Sequence, residues 1–197
     1  MVNTISYRRG RLPHWIVADH SYFVTITQKG SIPACRLSDI NNNVKVASDR
    51  FLEFDQILDK DPESFRVLTR DSIADEIILA LEWLESAERG WLIYAACVMP
   101  SHIHLVMHNK SGRSADLESD LSAFKNYTAR ICNSQLGRSG RFWAKESFDH
   151  WCRDGISVSR SVAYTLRNPV RAGLVSKVGD WPWNKVGPEF SEYAKML

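Results

Sequence analysis

The stretch Val98-Met99-Pro100-Ser101-His102-Ile103-His104-Leu105-Val106-Met107 decides how this chain is read. Met-Pro-Ser reads as a turn, and His102 onward reads as a strand. Side chains alternate along a strand, so His102 and His104 share one side while Ile103, Leu105 and Met107 take the other. Two imidazoles one pleat apart on a rigid strand can bind one divalent metal. Two histidines on a half-buried strand can equally be structural. The pair gains meaning only if the chain supplies a third ligand and a nucleophile.

Working outward, residues 91–98 form a second strand, joined to the histidine strand as a hairpin by the Met-Pro-Ser turn. Tyr22-Phe23-Val24-Thr25-Ile26-Thr27 is β-branched and aromatic and reads as an earlier strand. Residues 46–58 read as a helix. Ile73, Ile77, Ile78, Leu81 and Leu84 recur at helical spacing behind an N-cap at Asp71 or Ser72, and Gly90 closes that segment. Leu117, Leu121, Phe124, Thr128 and Ile131 mark another long helix. Residues 148–152 read as a short strand. A third helix opens at Ser157 or Ser159 and ends at Asn168-Pro169, because proline disfavours helical geometry in the residue before it. Trp181-Pro182-Trp183 is expected to pack over the sheet. This order implies an α+β fold, a ferredoxin-like antiparallel sheet with helices packed on one face.

A length of 197 residues and a 44% hydrophobic fraction fit one domain with a real core. Residues 1–20 are expected as a basic N-terminal arm, extended over 6–15, and residues 178–197 as a C-terminal tail. No secretory signal and no membrane span is visible, and the four cysteines show no CxxC spacing. A cytoplasmic protein with reduced thiols is expected. The net charge of +2 hides segregation: residues 31–124 carry a net of −7, residues 125–177 a net of +7, and residues 1–30 a net of +3. Basic segments interleaved with aromatics point to a nucleic-acid partner. Arg8, Arg9, Arg11 and His14 in the arm are the candidate contacts there. Lys125, Asn126, Arg130, Arg138, Arg141, Arg167 and Arg171 are the candidates in the second segment. A monomer is expected, with a dimer as the alternative.

The third helix adds the missing chemistry. Tyr164 and Asn168 are four residues apart and share a face. Tyrosine can serve as a covalent nucleophile, and an asparagine oxygen can ligate a hard cation. Tyr127 competes as nucleophile, but its i+4 partner is Ile131, which cannot bind metal. His108 is read as a surface or phosphate-contacting residue, and His20 and His150 as structural.

These residues carry a resemblance. His102-Ile103-His104 resembles the His-hydrophobe-His motif of the HUH nucleases. Tyr164-Thr165-Leu166-Arg167-Asn168-Pro169-Val170-Arg171-Ala172-Gly173-Leu174-Val175 resembles the tyrosine-helix signature of single-tyrosine transposases, and more narrowly of the REP-associated tyrosine transposases. Thr165-Leu166-Arg167 departs from the Ile-Glu-like pair expected after the tyrosine. The resemblance implies cleavage and rejoining of single-stranded DNA at hairpin-forming palindromic repeats through a 5′-phosphotyrosine. It implies Tyr164 as catalytic nucleophile, with His102, His104 and Asn168 as ligands to Mg²⁺ or Mn²⁺. The alternatives are a non-catalytic, domesticated DNA-hairpin-binding protein and an unrelated metal hydrolase acting on a small phosphoester.

Overall fold

The computed structural model describes residues 4–9, 13–17, 19–32, 47–59, 66–109 and 116–197, with side chains described at 17, 19–32, 53–59, 66–109 and 116–197. The elements in chain order are β1 (Thr4–Arg9), β2 (Pro13–Val17), β3 (Ser21–Thr27), α1 (Ala47–Asp59), α2 (Asp71–Leu84), β4 (Trp91–Val98), β5 (His102–Asn109), α3 (Leu117–Gln135), β6 (Phe148–Cys152), α4 (Gly155–Arg171), β7 (Asn184–Val186) and α5 (Ser191–Lys195). Five strands form one antiparallel sheet in the order β6-β3-β5-β4-β7. Within it, β3-α2-β4-β5-α3-β6 is a ferredoxin-like unit, as the element order implied.

The histidine strand β5 is central, hydrogen-bonded to β3 on one side and β4 on the other. Ile103, Leu105 and Met107 are fully buried with Tyr22, Val24 and Ile26 of β3 and with Ile73, Ile77, Leu81 and Phe124 of α2 and α3. Each such side chain contributes roughly 1.5–3 kcal/mol of burial. The other face of the sheet carries Phe23, Ala95 and Val106, which pack against Val162 and Leu166 of α4. The helices of the ferredoxin-like unit share one face, and α4, which lies outside that unit, covers the second.

A register shift between Ile93 and Ala95 makes Tyr94 a bulge in β4. Before it, Trp91 and Ile93 face α2 and α3; after it, Ala95 faces α4 and Ala96 returns to the first core. The bulge lets the Trp91 indole donate to Asp120 Oδ2 on α3 at 2.8 Å, while Arg89 holds Asp120 Oδ1 at 2.7 Å.

Several expectations are corrected. Residues 6–15, expected as an extended arm, belong to an antiparallel hairpin in which Tyr7 pairs with Trp15 and Arg8 with His14. The α2 N-cap is Arg70, without a side-chain cap, because the Ser72 hydroxyl is spent on Gln135 of α3. Trp181-Pro182-Trp183 leads into an edge strand, with Val98 N donating to Trp183 O and β7 pairing with β4, while the Trp183 side chain packs against the main core as expected. A Cβ at Gly187 would meet Ile93 O at 2.4 Å, so only glycine fits that close approach. Finally, α4 continues through Pro169 to Arg171. It ends with Gly173 at a positive φ of 71°, Gly173 N bonded to Val170 O and Leu174 N to Pro169 O. These two bonds satisfy the last carbonyls, so the proline costs one interior bond without ending the helix.

Asp120→Ala should leave the buried Trp91 N–H without an acceptor. We expect a loss of about 2 kcal/mol in unfolding free energy by urea titration; a change under about 0.5 kcal/mol would contradict this packing account.

Candidate active site

Strand register builds the site first. Thr25 pairs with His104 and Thr27 with His102, so both imidazoles emerge on the α4 face in a fixed arrangement. Their Nε2 atoms lie 3.1 Å apart. Thr25 Oγ1 meets His104 Nδ1 at 2.9 Å, fixing which nitrogen points inward, and Ser101 Oγ stands 3.4 Å from His102 Nδ1. Phe23 stacks on the His104 ring at 5.5 Å.

The third component comes from α1. Asp55 is fully buried and presents Oδ1 at 3.1 Å from His104 Nε2 and 3.8 Å from His102 Nε2. The three side chains offer ligand atoms within 4.8 Å of one another. Two donors about 2.1 Å from one ion and at right angles stand roughly 3 Å apart, so these separations fit a single divalent cation.

The fourth component is α4, capped at Asp154, whose side chain accepts Ser157 N at 2.7 Å. Tyr164, Asn168 and Arg171 fall at i, i+4 and i+7 on the face turned to Asp55. The Tyr164 hydroxyl donates to Asp55 Oδ2. Asn168 Nδ2 donates to the same oxygen at 3.1 Å and stands 3.2 Å from His104 Nε2. Arg171 Nη1 lies 3.8 Å from Asp55 Oδ2, and its guanidinium sits 4.5 Å above the Tyr164 ring. Asn168 Oδ1 is buried and accepts no hydrogen bond from any described residue, nor does Asp55 Oδ1. Buried oxygens left this way are costly, and a cation would satisfy both once the Asn168 amide turned over.

Charge follows this geometry. Burial pushes the Asp55 carboxyl up, but the imidazoles of His104 and His102 and the Tyr164 donor bring it well below the usual carboxylate range. Burial, then the neighbouring His104, lowers His102 to about 3 against the opposing pull of Asp55, leaving it neutral with a lone pair for a metal. Burial and the Asp55 carboxylate raise the Tyr164 hydroxyl far above 10, against Arg171. Asp59, one turn beyond Asp55, rises to about 6 through burial and the Asp55 charge.

The sequence candidates divide accordingly. His102, His104, Tyr164, Asn168 and Arg171 converge, while Asp55 was missed. Its signal was an acid on an apolar stripe, with Phe51 four residues before it and Leu58 three after; aspartate is almost never buried unless paired. Arg167 points elsewhere, donating to Leu197 O at 3.4 Å. Lys125, Asn126, Arg130 and Arg141 line a separate cleft. Arg138 stacks on Phe142 and donates to Asn133. His108 stacks on Tyr94, and His20 packs edge-on to Trp151. Arg11 and the side chains of Arg8, Arg9 and His14 lie outside the described residues. No described helix is long and apolar enough to cross a membrane.

Two predictions follow from this geometry. Thr25→Val keeps shape but frees the His104 ring, and should weaken Mn²⁺ affinity at least about tenfold by calorimetry; unchanged affinity would remove Thr25 from the site. In metal-free protein, His102 and Asp55 both bind protons more weakly folded than unfolded, so unfolding takes up protons and stability rises with pH. The His102 contribution is complete above its ordinary value of 6.5 and drains as pH falls toward about 3; that of Asp55 drains below its ordinary 3.8. Asp59, raised to about 6, binds its proton more tightly folded than unfolded and offsets this loss between about 6 and its ordinary 3.8, so the profile is read on Asp59→Asn, whose urea unfolding in EDTA should lose about 1 kcal/mol per pH unit below pH ~6. A flat profile from pH ~7 to ~5 would contradict a neutral, buried His102.

No family model matches the chain. A Haemophilus influenzae protein named "Putative REP-associated tyrosine transposase" is 31% identical over 101 residues, covering 46% of this chain and 56% of that protein. An Escherichia coli REP-associated tyrosine transposase is 29% identical over 97 residues, covering 49% of this chain and 55% of the relative. The match thus spans little more than half the length of these relatives. A solved REP-associated tyrosine transposase bound to a REP hairpin superposes with a TM-score of 0.56 at 20% identity, covering 91% of this chain and 81% of that one, which speaks to the fold. In sequence and in fold, the chain is similar to the REP-associated tyrosine transposases, the family its His-Ile-His and tyrosine-helix motifs resemble.

Proposed function

We propose that the chain is a metal-dependent strand transferase that nicks and rejoins single-stranded DNA at hairpin-forming palindromic repeats. The observation that carries this reading is the convergence of the Tyr164 hydroxyl, two imidazoles and an asparagine on the buried Asp55 carboxylate. His102, His104 and Asp55 would hold Mg²⁺ or Mn²⁺, with Asn168 as a further oxygen donor. A bound divalent cation polarises the scissile phosphate and neutralises charge that develops on it.

The protein groups do the rest. Tyr164 Oη attacks the phosphorus; an O–P bond to tyrosine forms, the bond to the 3′-oxygen breaks, and that oxygen leaves as a 3′-hydroxyl after taking a proton. The proton Tyr164 sheds is already hydrogen-bonded to Asp55 Oδ2. Arg171, on the last turn of α4 and partly exposed, can pair with phosphate oxygens. Rejoining is the reverse, with a 3′-hydroxyl attacking the 5′-phosphotyrosine, and it needs no ATP because the phosphoester is conserved. Arg8, Arg9, Arg11, His14, Lys125, Asn126, Arg130, Arg138, Arg141 and Arg167 are the remaining candidate DNA contacts, which implies binding that falls steeply with salt.

The test is a covalent adduct. Wild-type protein incubated with Mn²⁺ and a hairpin oligonucleotide should give a protein–DNA band on a denaturing gel. Tyr164→Phe should lose it completely, keeping fold and DNA binding, whereas Tyr127→Phe should retain it. Peptide mapping that finds the DNA on Tyr127 would overturn the nucleophile, and hairpin binding with no adduct would leave a non-catalytic binder.

A further inference from the structure

A second site lies apart from Asp55 and the histidines, in the cleft between α3 and the loop of residues 140–145. We propose that this cleft holds one unpaired nucleotide of the DNA strand beside the cleavage point, its phosphate over Lys125; the proposal rests on the strand-transfer reading above.

The cleft has a volume of about 420 Å³. That lies within the ~300–1,000 Å³ of pockets that enclose small molecules, room enough for one nucleotide. Lys125, Asn126 and Arg130 stand on its helical wall, Arg141 and Lys145 on its loop wall. The loop wall is held firmly. Asn133 Nδ2 donates to Gly140 O at 2.8 Å, Lys29 N to Phe142 O at 2.8 Å, and the Trp143 indole to Thr128 Oγ1 at 2.9 Å. Phe142 and Trp143 are buried beneath it. The cleft is therefore preformed.

Lys125 Nζ donates to Lys145 O at 3.1 Å and Ser147 Oγ at 3.5 Å. An ammonium has three donors, so one remains for a ligand. Burial, then the like charge of Arg141, lowers Lys125 to about 8 against Glu146, a penalty that an entering anion relieves. Arg130 and Arg141 are exposed and form no ion pair with a described residue. Converging cations with unspent donors match a phosphodiester.

Position links the cleft to the strand being cut. Trp143 bridges to Gln28, and Thr27, the preceding residue, pairs with His102. The loop wall of the cleft and the histidines thus reach the same end of the sheet, and because α3 lies on the face opposite the imidazoles the strand being cut would pass round that end to enter the cleft.

Fluorescence anisotropy of the full chain tests this, using a labelled 12-mer oligothymidylate and, in parallel, a blunt DNA hairpin without unpaired flanks. Lys125→Met and Arg141→Gln, the latter disturbing no described hydrogen bond, should each weaken oligothymidylate binding about fivefold or more. Each should also lower the slope of log affinity against log salt by about 0.7, the single-strand value for one phosphate contact. Blunt-hairpin binding should fall less than about twofold. No oligothymidylate binding by the wild type, unchanged binding in Arg141→Gln, or an equal loss on the hairpin overturns the proposal. His102→Ala should keep oligothymidylate binding while losing the adduct. An adduct missing from the wild type, with the cleft pattern intact, therefore defeats the strand-transfer reading and leaves the cleft standing.

Discussion

The buried charge of Asp55 is the constraint around which the α4 side of the sheet is arranged. Removing a carboxylate from water costs several kcal/mol unless donors and counter-charge replace the solvent. Here the replacements come from two elements: imidazoles on β5, and the hydroxyl and amide of α4 with the guanidinium at its last turn. Each must be placed to within a fraction of an ångström, which explains why both imidazoles stand on a central strand whose register is fixed from two sides. It also explains the firm ending of α4, since fraying there would release Arg171 from Asp55 and from the Tyr164 ring.

The candidate metal ligands and the Tyr164 hydroxyl meet at this one carboxylate. Asp55 Oδ1 faces the histidines, and Oδ2 receives Tyr164 and Asn168. The carboxylate therefore couples the electrostatics of the histidine pair to the orientation of the Tyr164 hydroxyl. A change in charge at one oxygen is felt at the other through two bonds, with no water between to screen it.

Much of this was legible in the sequence because it is local. Alternation along β5 assigned the histidines and the apolar residues to opposite faces, and one helical turn placed Tyr164 with Asn168. The ferredoxin-like order followed from the succession of strands and helices. What was illegible depends on long-range pairing. Asp55 lies 47 residues before His102 in the chain, and nothing local says that its helix docks against the histidine strand. The hairpin of β1 and β2 hid behind a Gly-Arg-Leu-Pro run that reads as extended chain. The persistence of α4 past Pro169 depends on the hydrogen bonds around Gly173, which the rule against proline does not weigh.

The bulge at Tyr94 has a consequence for how β4 tolerates change. It divides the strand into two segments of opposite phase. The first is aimed at α2 and α3 through Trp91 and Ile93; the second keeps Cys97 opposite His104. Deleting this single residue would make the pairing regular with every partner kept, Trp91 still opposite Asn109 and Cys97 opposite His104. The extra residue thus works as a frame-shift within the fold, putting the odd-numbered side chains Trp91 and Ile93 on the α2–α3 face at one end and the even-numbered Ala96 and Val98 on that same face at the other.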